Sequence, residues 1–500
     1  MNLSKNTLAV ANTDFVAVPS SELLELPEKV LQFGTGVLLR GLPDYFIDRA
    51  NRKGFFNGRV VVVKSTPKGD AQDFANQDGL YTVCVRGLER GEPVEENLIS
   101  SAISRVISAD QDWASVLEAG SRQEIKLIVS NTTEVGIQLV KESIDQHPPV
   151  SFPAKLLAVL VERYKALGDC VAANLVVVPT ELIPDAGAKL KAIVDELIVF
   201  NGLDRAFKLW LDRRVYFCSS LVDRIVPGKP DAATLARLEG QLGYSDDLLI
   251  ICEPYRLWAI EGDAQVADLI GLTGVDDGFI VTSDIEIFRE LKVRLLNGTH
   301  TLSCGLAVLS GIPTVSSGMT DQSLRNFISV VMQSEIVPAI PYAVEPEVAM
   351  AFSASVIDRF ANPYIEHLWI NITFQYTMKM KIRVVPIILE YYRVYNRVPE
   401  NIALGFAAYL HFVRPREFRD GKYYGAASGH AYVITDDAAA YFFDKRELAD
   451  QEYVHTVMAD EVLWGTDLTK LNGFAGAVEA KFSYISEKGV KAALAGANSV

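Results

Sequence analysis

The sequence predicts an α/β protein in two domains, a doubly wound domain over residues 1–285 and a mostly α-helical domain over residues 286–500. First, 500 residues exceed what one hydrophobic core usually organises, so two domains are expected. Second, short β-branched runs alternate with helical patterns in the first part, which favours a mostly parallel sheet with right-handed crossovers. Third, the apolar residues of the second part recur with the period of an α-helix.

The elements are predicted in chain order from these periods. The run Arg59-Val-Val-Val-Val-Lys64-Ser65 is continuous, which is typical of a strand covered on both faces. Strands are predicted at residues 30–33, 59–65, 80–85, 125–130, 174–178 and 248–252, with a helix at 153–167 that has Pro153 in its first turn. In the second domain, helices are predicted at 284–309, 321–333, 347–359, 383–395, 402–413 and 448–464. The charged, glycine-rich segment 414–429 is predicted to be a loop.

Composition and charge argue against several classes of function. A net charge of −15 argues against nucleic acid or an anionic membrane as partner, and any anionic ligand must be held by a local group of cations. Apolar runs are too short to span a membrane and the N-terminus lacks a signal peptide's apolar core, so a cytoplasmic monomer or small homo-oligomer is expected. The five cysteines and six histidines form no metal-binding motif, so reduced cysteines and no metal are expected.

A glycine turn after the first predicted strand points to a nucleotide. The strand ends at Phe33, and Gly34-Thr35-Gly36 leads into a helical pattern that starts at Val37 and runs to about Ala50. The glycines permit a tight turn and let a diphosphate approach amides at a helix N-terminus, where the helix dipole favours negative charge. Leu39 stands where the usual Rossmann pattern has a third small residue. The turn nevertheless predicts a Rossmann-like dinucleotide site.

The residues after the second and fourth predicted strands bear on the choice of dinucleotide. The acid that usually binds the adenosine ribose is missing at the end of the second strand, where Lys64 stands. Lys64 and Lys68 could accept the 2′-phosphate of NADP, whereas Asp70 could supply the carboxylate for NAD. Asn131 and Thr132 are expected to contact the ribose or the nicotinamide. NAD is therefore the expected cofactor, with NADP as the open alternative.

One predicted helix carries three side chains suited to proton transfer. At about 100° per residue, Asn297 lies about 140° and His300 about 80° from Lys292, so the three project over one sector of the helix. An ammonium, a carboxamide and an imidazole suit a carbonyl group that takes up a proton while its carbon exchanges hydride. The alternative is a solvated lysine, a capping asparagine and a core histidine. Gly298 costs the helix about 1 kcal/mol relative to alanine, which suggests a close approach to the backbone there.

Several segments together resemble the long-chain mannitol dehydrogenase family of polyol and sugar-acid dehydrogenases, over nearly the whole chain. The most specific are Val-Asp223-Arg224-Ile-Val-Pro227 and the block formed by Lys292, Asn297 and His300. The others are the glycine turn, residues 77–81 and 130–134, Glu253-Pro254 with Trp258, residues 181–183, and residues 359–363 with His367 and Trp369. Residues 181–183, and residues 359–363 with His367 and Trp369, resemble the branch of the family that acts on tagaturonate.

The resemblance implies a metal-independent, NAD(H)-dependent reduction of a 5-keto sugar acid, tagaturonate, to an aldonate, altronate. It implies that Lys292 is the general acid in reduction and the general base in oxidation. Asn297 would donate a hydrogen bond to the oxygen where negative charge develops, a contribution typically worth about 3 kcal/mol. His300 would bind a substrate hydroxyl or orient the lysine.

The substrate's carboxylate requires a cation. The family places a substrate-contacting lysine where Lys379 stands, and Lys381 and Arg383 could join it or form a solvated face. His367 and Arg224 are further candidates for substrate binding and Asp223 for cofactor binding, although Asp223 and Arg224 could instead form a structural ion pair. Where the family has an Asn-Gly pair, this chain has Ala186-Gly187, so the oxyanion site would have fewer donors.

Alternatives of two kinds stay open. Within the enzyme class, the chain could be a fructuronate reductase or a mannitol-type polyol dehydrogenase. Outside it, Ala186 and the irregular glycine turn would suit a non-catalytic regulator that binds a nucleotide and a sugar acid. The set of Lys292, Asn297 and His300 favours the enzyme, because a regulator has no use for a proton donor.

Overall fold

The computed structural model describes residues 1–65, 71–132, 136–427 and 429–497. The chain divides into two compact units. Unit 1 consists of Met1–Arg86 and Pro93–Ile285, and unit 2 consists of Gly87–Glu92 and Glu286–Val500.

The first 285 residues contain twelve described strands, nine described α-helices and three short 3₁₀-helices. The strands are β1 (Glu28–Phe33), β2 (Arg59–Lys64), β3 (Tyr81–Glu89), β4 (Glu92–Ser100), β5 (Ile103–Ser108), β6 (Leu127–Ser130), β7 (Leu175–Pro179), β8 (Val215–Phe217), β9 (Ser220–Asp223), β10 (Ile250–Cys252), β11 (Leu257–Glu261) and β12 (Phe279–Thr282). The α-helices are α1 (Val37–Gly41), α2 (Pro43–Arg52), α3 (Gln72–Asn76), α4 (Trp113–Ser121), α5 (Phe152–Leu167), α6 (Ala186–Phe200), α7 (Arg205–Arg214), α8 (Ala232–Leu242) and α9 (Ala264–Ile270). The 3₁₀-helices are Lys5–Val10, Ser21–Glu25 and Val171–Ala173.

The largest sheet is parallel and confirms the predicted doubly wound fold. Its order is β5–β2–β1–β6–β7–β8, so the direction of the order reverses between β1 and β6. In β2, Val60 and Val62 pack into the core on one face, and Val61 and Val63 pack into the core on the other. Ligands of open α/β sheets bind at the carboxyl ends of the strands beside such a reversal. The ends of β1 and β6 are therefore where a cofactor site is expected.

Two predicted strands form outside that sheet. Strands β3 and β10 pair in parallel with each other, with Ile250 opposite Val83, in a three-stranded sheet of order β10–β3–β4. Arg90 and Gly91 both have positive φ between β3 and β4, as a two-residue hairpin turn requires. A second small sheet has the order β12–β11–β9, and β5 takes the edge of the large sheet.

Residues 286–497 are mostly helical, as predicted, wherever they are described. The α-helices are α10 (Glu286–Leu291), α11 (Thr299–Leu309), α12 (Val315–Thr320), α13 (Gln322–Val330), α14 (Pro346–Ala361), α15 (Trp369–Ile372), α16 (Tyr376–Lys379), α17 (Val385–Tyr395), α18 (Glu400–Val413), α19 (Ala439–Asp444), α20 (Asp450–Met458), α21 (Glu461–Trp464), α22 (Phe474–Lys488) and α23 (Val490–Ala497). Three π-helices, Lys292–Gly298, Val331–Ile336 and Met380–Val384, interrupt the α-helical pattern, and Val337–Ala339 and Leu468–Lys470 are 3₁₀-helices.

The prediction of a loop at residues 414–429 was wrong. This segment contributes to an antiparallel sheet of β13 (Glu417–Arg419), β14 (Lys422–Ala427) and β15 (His430–Ile434). Asp420 and Gly421 have φ of 51° and 72°, which suits the two-residue turn between β13 and β14. Opposite Tyr432 stands Gly425, where a Cβ would lie 2.3 Å from a tyrosine ring carbon. The glycine therefore accommodates the ring rather than marking a loop.

The core of unit 2 is built around α11 and α18. A Cβ at Gly405 of α18 would lie 2.9 Å from the Leu302 carbonyl oxygen, and one at Gly305 of α11 would lie 3.3 Å from the Ala408 carbonyl. Both glycines therefore allow the two helices to pack closely. As a result, α11 is buried along nearly its whole length, which fixes the residues at its N-terminal end.

Two features concern the chain as a whole. In the described ranges, no helix has both the length and the apolar character needed to cross a membrane. All five cysteines carry free thiols, and only Cys170 among them is exposed.

Candidate active site

The glycine turn after β1 is shaped by the end of the neighbouring strand. Gly34 has a φ of 131°, and a Cβ there would lie 2.9 Å from Leu39 Cδ1 and 3.0 Å from the Asn131 carbonyl oxygen. Leu39, the irregular residue of the motif, thus fills space beside Gly34. A Cβ at Gly36 would meet nothing within 4 Å. The turn is therefore closed at its first glycine and open at its second, which fits the approach of a diphosphate.

The other predicted residues of the turn differ in exposure. Phe33 is fully buried and its ring packs against Phe152, with 5.1 Å between the centroids. Its carbonyl accepts a hydrogen bond from the Asn131 N–H at 3.1 Å, which joins the ends of β1 and β6. Thr35 and Val37 are partly exposed on either side of Gly36. Phe33 can therefore support the turn, whereas Thr35 and Val37 are accessible to a ligand.

A buried carboxylate orders the residues after β6. Glu181 accepts hydrogen bonds from the Thr132 N–H at 2.8 Å, the Thr132 hydroxyl at 2.9 Å and the Ser130 hydroxyl at 3.1 Å. Asn131 donates its side-chain amide to the Thr180 hydroxyl at 3.0 Å. Asn131 and Thr132 are thus held at the switch point of the sheet, where they were expected to meet the cofactor. Glu181 was singled out from the sequence only through the family resemblance.

Lys64, Asp223 and Arg224 lie in different places within unit 1. Lys64 is the last residue of β2, so it stands at the carboxyl edge of the large sheet, whereas Asp223 ends β9 in a smaller sheet. Arg224 is buried; it donates to the carbonyls of Glu253 and Gly41 at 2.9 and 2.7 Å and stacks on the Tyr45 ring. These contacts support a structural role for Arg224. Lys68, Asp70 and Glu134 lie outside the described residues.

Lys292 and Asn297 lie on a π-helix rather than on the α-helix that the spacing predicts. Lys292–Gly298 forms hydrogen bonds of the i→i+5 type, so residues five apart stand about one turn apart. Lys292 and Asn297 are such a pair, and they are closer to one face than the predicted angle of about 140° allows. Both side chains are partly exposed in unit 2. Short π-helical segments often occur at functional sites, because the insertion re-aims side chains.

The π-helix is fixed from its buried side. Arg294 pairs with Glu290 at 2.8 Å and donates to the carbonyls of Ile382 and Arg383 at 2.6 and 3.1 Å. A Cβ at Gly298 would lie 3.5 Å from Ile387 Cδ1, which is ordinary contact. The π-helix at Met380–Val384 therefore packs directly on the one that carries Lys292. The close approach expected at Gly298 is not found, because a Cβ there would make only ordinary contacts, with Ile387 of α17 and with the Arg383 carbonyl at 4.0 Å.

His300 is enclosed by aromatic rings. Its imidazole stacks on Phe360 with 4.0 Å between centroids and 9° between planes, and it meets the edges of His367 and Trp369 at 5.2 and 5.8 Å. Its Nε2 is buried and has no hydrogen-bond partner among the described residues. Burial, followed by the charges of nearby basic groups, holds the pKa of His300 well below its ordinary value. The ring is therefore neutral near pH 7 and has a polar atom available for a ligand.

The basic groups near His300 form a cluster that the sequence predicted in part. His367, Arg359, Arg383 and Lys379 each lower the pKa of His300, in that order after burial. Arg359 was noted in the sequence only as part of residues 359–363. Its neighbour Phe360 gives the same segment a second contact with His300, because the Phe360 ring stacks on the His300 ring. The cluster of Lys379, Arg383, Arg359 and His367 is called the basic cluster below.

Members of the basic cluster are held in position by the protein. Lys379 donates to the Ile372 carbonyl at 2.9 Å, and burial, with a smaller effect of Arg383, lowers its pKa. Arg383 donates to the Thr301 hydroxyl at 3.2 Å, and Thr301 in turn donates to the Asn297 carbonyl at 2.7 Å. The basic cluster is thus linked to the π-helix through Thr301, which sequence reasoning missed.

Lys381, between the two cluster residues in sequence, lies elsewhere. Its ammonium donates to the Val462 carbonyl at 3.0 Å, at α21. The alternating basic run therefore divides, and only Lys379 and Arg383 belong to the basic cluster.

Ala186 occupies the position at which the resemblance expects asparagine. It is fully buried as the first residue of α6, after Asp185 with a φ of 53°. A Cβ on the next residue, Gly187, would lie 2.5 Å from the Cys218 carbonyl carbon and the Ser219 nitrogen, so the helix start is packed tightly against the chain after β8.

The described residues contain no group of three His, Cys, Asp or Glu side chains placed to hold a metal ion.

Comparisons with known proteins cover both units. Residues 28–274 match the model of the mannitol dehydrogenase Rossmann domain, and residues 284–486 match that of the mannitol dehydrogenase C-terminal domain. The altronate oxidoreductase of Halalkalibacterium halodurans is 36% identical, over 94% of this chain and 93% of that protein. The altronate oxidoreductase of Bacillus subtilis is 33% identical, over 94% and 95%.

Solved structures show the same fold at lower identity. Mannitol 2-dehydrogenase of Pseudomonas fluorescens, solved with NAD and D-mannitol, covers the whole of both chains with a TM-score of 0.67 at 21% identity. A substrate-free D-sorbitol dehydrogenase covers 99% of this chain and 100% of its own, with a TM-score of 0.76 at 18% identity. The resemblance drawn from the sequence blocks is thereby confirmed, and the chain belongs to the mannitol dehydrogenase family.

Proposed function

We propose that this chain is an NAD(H)-dependent oxidoreductase that interconverts tagaturonate and altronate. Residues 1–285 would bind the cofactor and residues 286–500 the sugar acid. The observation that carries the proposal is the basic cluster around His300. The names of the relatives at 33–36% identity support the same substrate pair.

The basic cluster suits a carboxylate. The whole protein carries a net charge of −15 and would repel an anion, so a local group of cations beside one buried histidine favours an anionic ligand at this place. Arg383 and Arg359 have planar guanidinium groups that can bind a carboxylate through two hydrogen bonds. A neutral polyol such as mannitol has no negative charge for these cations to bind. The cluster therefore favours a sugar acid over mannitol.

The polar groups near the cluster suit the rest of the substrate. An unpartnered buried polar atom costs about 1–3 kcal/mol, and a substrate hydroxyl at His300 Nε2 would remove that cost. Asn297 would donate its amide to the keto oxygen, where negative charge develops during reduction. Lys292, one π-helical turn before it, would transfer a proton to the same oxygen in reduction and remove it in oxidation.

The residues of unit 1 fit a dinucleotide. The open turn at Gly34, Thr35, Gly36 and Val37, supported by Phe33, would hold the diphosphate. Asn131 and Thr132 would contact the ribose or nicotinamide, with Lys64 at the adenosine end and Asp223 as a further candidate. When bound, the nicotinamide supplies the hydride in reduction and accepts it in oxidation. Lys64 could also accept the phosphate of NADP, so both cofactors belong in the test.

The test is to follow NADH absorbance with the purified chain and tagaturonate, fructuronate or fructose. Tagaturonate is expected to have the highest kcat/KM and fructose, which lacks a carboxylate, the lowest. NADH is expected to be preferred to NADPH. Binding of NADH without turnover of any ketose would contradict the proposal and favour a non-catalytic regulator.

The basic cluster can be tested separately with Arg383→Met. Loss of one charge-assisted hydrogen bond, about 1.5–3 kcal/mol, should lower kcat/KM for tagaturonate by about 10- to 150-fold. The residual turnover of fructose should change little, because fructose has no carboxylate. Lys381→Met, on the same helix but bonded to the Val462 carbonyl, is the matched control and should behave like the wild type. Equal losses with both sugars would contradict carboxylate recognition by Arg383.

A further inference from the structure

A cavity in unit 2, away from the basic cluster, has the character of an anion site. Its volume is about 550 Å³, and its walls come from the end of α18, the sheet β13–β15, the segment before α20 and the junction of α22 with α23. Three arginines, Arg414, Arg416 and Arg446, line it. None of its lining residues belongs to the basic cluster or to the π-helix that carries Lys292.

Arg414 forms the fixed part of this wall. It donates to the carbonyls of Arg446 and Leu448, pairs with Asp450 at 2.8 Å, and lies over the Tyr453 ring. Its charge is therefore largely neutralised by Asp450. Arg414 holds the segment around Arg446 in place rather than serving a ligand itself.

Arg416 and Arg446 have donors to spare. In the described part of the chain, no hydrogen bond or ion pair engages the Arg416 guanidinium, although its charge acts on His411 and Tyr432 of the same cavity. Arg446 lies 3.8 Å from the Phe443 ring, donates through Nη1 to the Phe443 carbonyl, and pairs through Nε with Glu447 at 3.1 Å. Its second Nη group is left for a ligand.

The other residues that line the cavity indicate which chemical class of ligand it could bind. Glu447 is the one acidic side chain in the lining. It pairs with Arg446 but is 83% exposed, so this ion pair is weak and solvent screens it. Leu309, Ile485 and Val490 give the cavity an apolar side. The volume exceeds what a single inorganic anion needs. The combination suits a molecule with one strongly anionic group and a small carbon skeleton.

We propose that this cavity binds a small organic phosphate, with the phosphate group at Arg416 and Arg446 and the carbon skeleton against the apolar side. Guanidinium groups match the geometry of phosphate and bind it through paired hydrogen bonds. The site is independent of the proposed dehydrogenase reaction. It adds a second small-molecule site to unit 2.

The test measures the melting temperature of the full chain during titration with inorganic phosphate and with glucose 6-phosphate. Sodium chloride at equal ionic strength controls for screening. A saturable rise is expected with both probes, at lower concentrations of glucose 6-phosphate. Arg416→Gln should weaken both by about tenfold or more, since Arg416 makes no contact that the fold needs. Arg419→Gln, an exposed arginine of β13 outside the lining, should leave both unchanged.

Three results would overturn the proposal. The first is the absence of a saturable rise with either probe. The second is equal binding by Arg416→Gln and the wild type, which would place the phosphate elsewhere. The third is inorganic phosphate binding as tightly as glucose 6-phosphate, which would leave no role for the apolar side.

Discussion

Asp44 gives the fold a pH dependence that can be tested by one substitution. Its carboxyl is fully buried in α2, accepts a hydrogen bond from Gln32 Nε2 at 3.3 Å, and has an Oδ1 atom without a partner among the described residues. The same Gln32 group donates to the Gly34 carbonyl of the glycine turn at 3.3 Å. Burial raises the pKa of Asp44 to about 7, with Asp48 adding to the rise and Gln32 and Arg40 opposing it.

The size of the effect follows from that pKa. Between pH 4 and pH 7 the folded protein keeps a proton on Asp44 that the unfolded chain has lost. The free energy of unfolding therefore falls as the pH rises through this window and levels off above it. A rise of about three pH units in the pKa corresponds to about 4 kcal/mol in all, and the part between pH 5 and pH 7.5 is about 2.5 kcal/mol.

Asp44→Asn removes the titration with little change in shape. The variant should therefore gain about 2.5 kcal/mol of stability relative to the wild type as the pH rises from 5 to 7.5. Urea denaturation followed by tryptophan fluorescence measures this difference at each pH, with the transition of unit 1 fitted separately, because a chain of two units is not expected to unfold in one step.

Asp48→Asn, one helical turn away, is a comparison variant that keeps the Asp44 carboxyl but removes the smaller contribution of Asp48 to its raised pKa. Asp48 pairs with Arg52 at 2.6 Å and accepts the Ser101 N–H at 2.8 Å, so its substitution should destabilise the protein at every pH. If Asp44→Asn instead showed the same loss between pH 5 and pH 7.5 as the wild type, the buried carboxyl would not be the source of the pH dependence.

Two further substitutions test the cofactor turn and the helix that carries His300. Gly34→Ala should weaken NADH binding more than tenfold, because its Cβ would crowd the Asn131 carbonyl and the backbone strain would cost about 1–3 kcal/mol. Gly36→Ala, measured by the same fluorescence titration, should bind NADH with an affinity close to that of the wild type. The reverse ranking would contradict the role of the turn. Tyr376→Phe removes a buried hydroxyl that bonds two main-chain groups of α11, so urea denaturation should show a loss of about 1–3 kcal/mol from unit 2, and no loss would contradict that packing.

Most of the fold could be predicted from the sequence, because the patterns that indicate strands and helices are local. The valine run of β2 has alternate residues on two faces of a buried strand, which only a covered sheet can satisfy. The turn at Asp420-Gly421 was also a local signal, since Asp-Gly pairs favour hairpins. It was missed because the surrounding charges and glycines are typical of loops as well.

The sequence suggested the candidate site residues, but it did not predict their geometry. The spacing of Lys292 and Asn297 was read at 100° per residue, and a π-helix, which depends on how Arg294 and the neighbouring helix pack, changes that angle. The ring of Phe360 under His300 joins residues distant in sequence. Such contacts arise only when the helices pack, so the period of a single helix does not reveal them.

The proposed reaction depends most directly on Lys292, which would transfer the proton to the sugar's keto group. The most direct measurement compares Lys292→Ala with Lys381→Ala, recording NADH binding by fluorescence and turnover with tagaturonate. Lys292→Ala is expected to bind NADH with unchanged affinity and to lose turnover, while Lys381→Ala keeps both. Wild-type turnover in Lys292→Ala, or a loss of turnover that is accompanied by a loss of NADH binding, would contradict the role proposed for Lys292.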